Sequence, residues 1–381
     1  MHYKLYLQRA VLVVTATLLA LFLGELLLRL LLPEPKGMYV WQPNLQHTFT
    51  PDSTVFYGIH GARQFTINRL GLRGDELESD ALNFVCIGGS TTECLYLDDH
   101  ETWWYELQQL LNKNSSEKVI IASLGKSGVS SRENYLHVKY VAANLPHLTG
   151  LFVMTGLNDL MRRLSRDSLF EPDFHFTPQV EDSMVQQIFL HPSSPNGVWY
   201  RNLRLFKLVQ NALHQNKGVR WELQDDNGAL YKQLRKKRSE AIALLDTLPD
   251  LTSALNEYER NLQGIIDVAR EHQLQLVFIN QAAIYRDSMN SFEQSLLWMG
   301  GKGDFQAPGN HYYYTTRALH QALNQYNQRL AKVCLANHIP LIELAGQLSS
   351  DTSVFYDDCH FHEAGAIKVA EIIAKSFGNS N

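Results

Sequence analysis

Short apolar runs recur along the chain, each followed by a longer segment of helical period. The runs at 84–87, 119–121, 151–155, 274–279 and 339–344 have the length of buried strands. Helical spacing governs 102–111, about 132–144, 254–272 and 316–336, and a last amphipathic helix ends near Phe377. The stripe on 254–272 is Leu255, Tyr258, Leu262, Ile265, Ile266 and Ala269; that on 316–336 is Leu319, Leu323, Tyr326, Leu330 and Val333. Three successive runs end in glycine and polar residues: Gly88-Gly89-Ser90, then Ser123 through Gly128, then Gly156-Leu157-Asn158-Asp159. Strands that alternate with helices predict an α/β fold with a parallel sheet whose working edge lies at the strand carboxyl ends.

Three regions break the alternation. Residues 33–80 are rich in Pro, Gly and aromatic residues and read as a juxtamembrane collar, with an extended segment closed by glycine turns at 66–74. Residues 161–252 read as an insertion. It contains a loop at 191–197 and a basic run, Lys232, Arg235, Lys236, Lys237 and Arg238, expected to be a solvated helix face, with anionic lipid or glycan contact as the alternative. The long loop at 282–311 has the length of a lid or binding loop.

The N-terminus follows a different pattern. No charged residue occurs at 10–24, and 26–32 continues the apolar run around Glu25 and Arg29. The span 10–32, about 23 residues, matches a bilayer core at 1.5 Å per residue. Glu25 and Arg29 share a helix face and are placed to pair or to snorkel at one interface. Lys4 and Arg9 put residues 1–9 on the cytoplasmic side. A cleaved signal peptide is the alternative; its apolar region would be shorter, and no good small-x-small site follows. The expectation is a single-pass anchor in a bacterial inner membrane, with residues 81–381 as a folded domain on the periplasmic side.

Composition narrows the classes. Of 381 residues, 45% are hydrophobic and 19% charged, which suits a globular chain, and a net charge of −5 gives no reason to expect a nucleic-acid partner. Cys86, Cys94, Cys334 and Cys359 are scattered without zinc-type spacing. In an oxidising compartment a Cys94–Cys359 bridge is permitted if Ser90 and His360 meet; chance proximity is the alternative. Neither a metal nor an organic cofactor is implied.

Serine-based acyl transfer needs a base near the hydroxyl, a group that orients the base, and donors for the oxyanion. Ser90 stands at the first strand end; alone, it fits equally well as a helix N-cap. Asp357 and His360, three apart on a loop before the last helix, allow the carboxylate to reach Nδ1 and leave Nε2 free. Asp358 and His362 are of the same types nearby, His362 being expected at the helix start.

Taken in order, Gly89-Ser90, Gly128, Gly156-x-Asn158-Asp159 and Asp357-x-x-His360 resemble the four sequence blocks of the SGNH (GDSL) hydrolases. The resemblance implies a three-layer, flavodoxin-like fold with a five-stranded parallel sheet, beside the N-terminal transmembrane helix. It implies a triad of Ser90, Asp357 and His360, with the oxyanion held by the Ser90 N–H, the Gly128 N–H and the Asn158 side chain. Two positions depart from the family pattern: Gly89 replaces the aspartate of Gly-Asp-Ser, and Ser123 stands where many members carry asparagine. The anchor, the collar and Asn68-x-x-Gly71-x-Arg73-Gly74 look like a set of membrane-anchored bacterial members.

The expected activity is ester hydrolysis through an acyl-enzyme, on an acetyl ester that is carbohydrate-linked. His311-Tyr312-Tyr313-Tyr314 and Trp298 are candidates to stack on sugar rings, with core packing as the bland alternative. Two other readings stand beside it: an O-acyltransferase that modifies a surface glycan, with 282–311 as a cover against water, and a catalytically idle glycan-binding or assembly protein.

Overall fold

A computed structural model describes residues 2–31, 38–190, 199–206, 208–209, 227–305, 307–309 and 311–378. The expected loop at 191–197 lies outside the described residues. The chain forms two compact units, Met1–Met38 with Phe176–Trp221, and Tyr39–His175 with Glu222–Asn381.

The first unit is built on a helix from His2 to Leu31. Its stretch Tyr3–Leu31 is long and apolar enough to cross a membrane, a test that a secretion signal near an N-terminus also passes. Glu25 and Arg29 do pair, at 2.8 Å. The Glu25 carboxylate also accepts the backbone N–H groups of Arg204 and Leu205, each at 3.0 Å, which gives that acidic residue three donors.

The second unit holds a six-stranded sheet. Its strands are β1 (Arg73–Gly74), β2 (Leu82–Gly88), β3 (Val119–Ser123), β4 (Leu148–Met154), β5 (Gln275–Ile279) and β6 (Leu341–Ile342). The spatial order is β6-β5-β4-β2-β3-β1. β2 to β6 are parallel and form the five strands expected from the sequence, in the order of a flavodoxin-like sheet. β1 runs antiparallel to β3, Arg73 opposite Ser123, and it comes from the stretch read as a collar. At two residues, β1 has no periodicity to detect.

Helices Trp103–Asn114 and Glu363–Gly378 pack together, and Ser131–Tyr140, Thr252–Glu271 and Thr316–Asn337 pack as a second group. Phe377 meets the rings of Phe84 and Phe152, which seats the C-terminal helix over β2 and β4. β3 is buried throughout and β2 nearly so, as strands covered on both faces must be.

Two expected surface features are partly drawn into the fold. Along the helix Ala229–Ser239, Arg238 donates to the carbonyls of Met299 (2.5 Å) and Tyr314 (2.9 Å), and Arg235 to those of Val55 (2.6 Å) and Tyr356 (3.2 Å). The two arginines of the basic run therefore tie loops together, while Lys232 and Lys236 stay exposed as expected. The 282–311 segment is no open lid either: Ala282, Ile284, Tyr285, Leu296, Leu297 and Met299 are buried. It carries a short helix, Ser291–Ser295, and leads into Tyr312–Tyr314, which pairs in parallel with Ala243–Leu245.

Candidate active site

Ser90 opens a four-residue helix, Ser90–Glu93, at the end of β2. One turn of helix does not hold itself, and buried donors fix its carbonyls from outside. Trp103 Nε1 donates to Thr91 O (2.9 Å), Trp104 Nε1 to Thr92 O (3.1 Å), and Ser123 Oγ to Thr92 O (3.2 Å). Arg73 Nη1 donates to Glu93 O (2.7 Å) and Cys94 O (2.8 Å). Ser123 thus finds a use without being asparagine.

Of the two glycines before Ser90, the first is required by the backbone beside it and the second faces the Asn158 side chain. A Cβ at Gly88 would lie 2.6 Å from Met154 O, and one at Gly89 would lie 2.5 Å from Asn158 Nδ2. The absence of aspartate at 89 therefore goes with the placement of Asn158.

Asp357 and His360 lie on the loop that precedes the last helix, 0% and 5% exposed. Asp357 Oδ1 accepts the backbone N–H of Cys359 (3.0 Å) and of His360 (2.9 Å). Its Oδ2 lies 2.7 Å from His360 Nδ1, and His360 Nε2 lies 2.7 Å from Ser90 Oγ. An ionised carboxylate only accepts, so Nδ1 carries the proton and Nε2 is left to accept from the serine hydroxyl. The Tyr356 ring stacks on the imidazole at 5.5 Å and 13°.

The charges agree with that assignment. Burial raises the Asp357 pKa, but the charge and hydrogen bond of His360, with further donors, bring it below the ordinary carboxylate value. Burial lowers the His360 pKa, but the Asp357 charge and hydrogen bond outweigh it and hold it above the ordinary imidazole value. The neighbouring acid behaves oppositely: burial, then repulsion by Asp357, raises Asp358. Asp358 accepts from Tyr285 O–H (2.9 Å) and Trp298 N–H (2.8 Å). His362 accepts from Gly365 N–H (3.2 Å) at the helix start, as expected.

The residues read as oxyanion donors are only partly gathered. Ser90 and Asn158 line one recess, with Val129, Gly156 and Gln281. Asn158 Nδ2 gives one hydrogen to Val129 O at 2.8 Å, which aims the amide and leaves its second hydrogen free. Val129 rather than Gly128 lines this recess; Gly128, at φ +75°, makes the turn just before it. Among the described residues, no hydrogen bond is donated by the Ser90 or Gly128 backbone N–H.

On the other side of Ser90 and His360 lies a small recess of about 10 Å³. Cys94, Tyr96, Leu97, Tyr356 and Phe361 make it mainly apolar. The four cysteines are free buried thiols, so Cys94 and Cys359 do not bridge. Sγ of Cys359 lies near Asp357 and His360 within metal-ligand reach, but His360 Nδ1 is spent on Asp357.

Several residues here had no sequence signal. Tyr231, from the insertion, sits 6.3 Å from the His360 ring. Trp298, expected as a sugar platform, donates its indole N–H to Asp357 Oδ2 at 3.0 Å. Tyr313 and Tyr314 are buried; of the tyrosine run only Tyr312 is exposed.

Solved structures with similar folds are distant in sequence. A lipolytic G-D-S-L protein from Veillonella parvula is 12% identical, with 78% of this chain and 99% of that chain covered and a TM-score of 0.41. The acetylxylan esterase Axe2 from Geobacillus stearothermophilus is 10% identical over 79% and 97%, TM-score 0.43. The α/β hydrolase LAE5 from a Lake Arreo metagenome is 12% identical over 80% and 98%, TM-score 0.43. Among curated proteins none matches. The GDSL-like lipase/acylhydrolase family matches residues 86–366, from the end of β2 to the last helix, and the chain belongs to that family of ester hydrolases.

Proposed function

We propose that the protein is a serine esterase that removes an acetyl group from a carbohydrate-linked ester outside the cytoplasm. The observation that carries the reading is the unbroken line Asp357 Oδ2–His360 Nδ1 (2.7 Å), His360 Nε2–Ser90 Oγ (2.7 Å), at the carboxyl edge of the sheet. His360 takes the Ser90 proton as Oγ bonds to the acyl carbon. The carbonyl pair moves onto oxygen and is met by the Ser90 N–H and the free Asn158 hydrogen, with the Gly128 N–H, on the turn before Val129, as the third donor that the family resemblance implies. Collapse expels the alkoxide, which takes the proton from His360. Water, deprotonated by His360, then attacks the acyl-Ser90, and breaking the Oγ–acyl bond returns the proton to serine.

The small, mainly apolar recess beside Ser90 supports acetyl over longer chains. The alcohol side is supported by a larger groove of about 400 Å³ at the ends of β5 and β6. Gln281 lines both it and the Ser90 recess. Asn280, Asn324, Asn327, Gln328, Glu343 and His320 line the groove, and among the described residues no Lys or Arg does, a lining suited to sugar hydroxyls and not to anions. Burial of the 282–311 segment favours water over a protected acceptor as the second nucleophile. The apolar helix, with Lys4 and Arg9 in its first turns, supports an anchor with the hydrolase beyond the membrane.

The test is turnover of p-nitrophenyl acetate and of acetylated oligosaccharides by the full chain in detergent, beside Ser90→Ala and His360→Ala. Loss of both activities in both variants is the expected result. Wild-type turnover no greater than Ser90→Ala on every acetyl ester rules the proposal out.

A further inference from the structure

Burying a carboxylate requires that its lone pairs be met. Asp357 is fully buried, and its Oδ1 has two backbone donors, Cys359 N–H and His360 N–H. Its Oδ2, the oxygen nearer His360 Nδ1, has one further donor, Trp298 Nε1–H at 3.0 Å. That indole belongs to no sequence block of the family and arrives from the long 282–311 segment.

The indole is held from behind. Asp358 Oδ2 accepts Trp298 N–H at 2.8 Å, Asp358 Oδ1 accepts Tyr285 O–H at 2.9 Å, and the Asp358 carbonyl accepts Ile284 N–H at 3.0 Å. Arg238 fixes Met299 O, and Tyr231 meets the indole edge-on at 5.4 Å. Two adjacent acids thus divide the work: Asp358 grips the backbone of the segment, and the segment returns a donor to Asp357.

We infer that Trp298 is a positioning residue of the active site, whose indole N–H fixes the Asp357 carboxylate in the plane that serves His360. This rests on the reading of Asp357 as the residue that orients His360. Without the donor, Oδ2 keeps a single partner and the carboxylate is free to rock about Oδ1, carrying the imidazole with it. The same loss leaves Oδ2 a stronger acceptor for a protonated imidazole, so His360 holds its proton to higher pH. The other titratable groups around the pair are Asp358 and Cys359 on the same loop, Glu93 from the Ser90 turn, Tyr231 from the insertion helix, Tyr96 and Tyr356. Of these, Tyr231 packs on the indole at 5.4 Å, a contact that benzothienylalanine keeps.

The test compares the full chain with Trp298→Phe, and with benzothienylalanine at 298, which keeps the bicyclic shape and exchanges N–H for sulfur. Both should lower kcat about tenfold, change KM less than about twofold, and move the acid limb of kcat/KM to higher pH. Benzothienylalanine preserves packing, so a fold lost in the phenylalanine variant does not end the test. A folded variant with wild-type kcat and an unmoved acid limb overturns the inference, as does a KM change with an unmoved limb. His360→Ala separates the two levels. If it abolishes turnover while the indole replacements do nothing, Trp298 alone is misassigned; if it leaves turnover intact, the acyl-enzyme reading itself fails.

Discussion

The Arg73 guanidinium reaches the carbonyl of Cys94 at 2.8 Å, and that contact closes the turn carrying Ser90. Cys94 ends the short helix in the left-handed region, φ +54°, where carbonyls lack intrahelical partners and a cation is favourable. Arg73 is 2% exposed, pairs with Asp99 through Nε (2.8 Å), and donates to Leu97 O at 2.7 Å. Replacing it by alanine should cost about 3–5 kcal/mol, because Asp99 and the buried carbonyls lose their donor. Arg73→Lys should recover less than half of this, since one ammonium cannot span the same acceptors. Denaturant melts of both variants check the expectation.

Asn158 offers one amide hydrogen beyond the one spent on Val129 O. Asn158→Ala should lower kcat about 10²–10³-fold on a short ester with little change in KM, since the lost bond forms only when the oxyanion does. A fall confined to KM would instead mark Asn158 as a ground-state contact.

Activity should rise with pH along a limb displaced above the ordinary imidazole value. The active form needs neutral His360, and its folded pKa is raised by the Asp357 charge. Asp357→Asn removes that charge and should move the limb to lower pH while lowering kcat, measured as kcat/KM against pH.

Acyl length should be limited by the recess bounded by Leu97, Tyr96 and Phe361. Wild type should prefer acetyl over butyryl esters, and Leu97→Ala should narrow the ratio by about 10-fold or more. The same change should cost about 2–5 kcal/mol as a core truncation, so the ratio within each variant, not the absolute rate, is the readout.

Asp159, which accepts the Ser131 N–H and hydroxyl in the core, is pushed by burial up to about 7. The folded chain therefore keeps a proton that the unfolded chain releases near the ordinary value. Stability should fall as pH rises between those two values. Asp159→Asn should remove this slope, seen by comparing melts of both proteins at pH 5 and pH 8.

The five parallel strands could be read from the sequence because each ends in a marked change of composition, as at Gly88-Gly89-Ser90. The approach of His360 to Ser90 could be anticipated because the proposed nucleophile and base must be of those residue types, and the N-terminal apolar helix because its leucine-rich run is unbroken. Trp298 and Tyr231 were not legible. Each acts through one ring placed by a distant segment, and nothing in local spacing records which ring reaches a carboxylate. Arg235 and Arg238 failed for a related reason: a basic run on a helix looks solvated until the carbonyls that receive it are in place. The tie of β1 to β3 was hidden because two residues carry no period.

Ser90 and His360 are 270 positions apart in the chain. The hydroxyl leaves the ribosome early, while its base comes from the loop that must wait for β6 and be fixed by the final helix. Contacts this remote form late, after the entropy of closing the intervening chain has been met. On the proposed triad, a nascent chain carries an inert serine, and the site becomes reactive only when the last strand and helix dock. The topology acts as a timer that withholds reactivity until folding is finished.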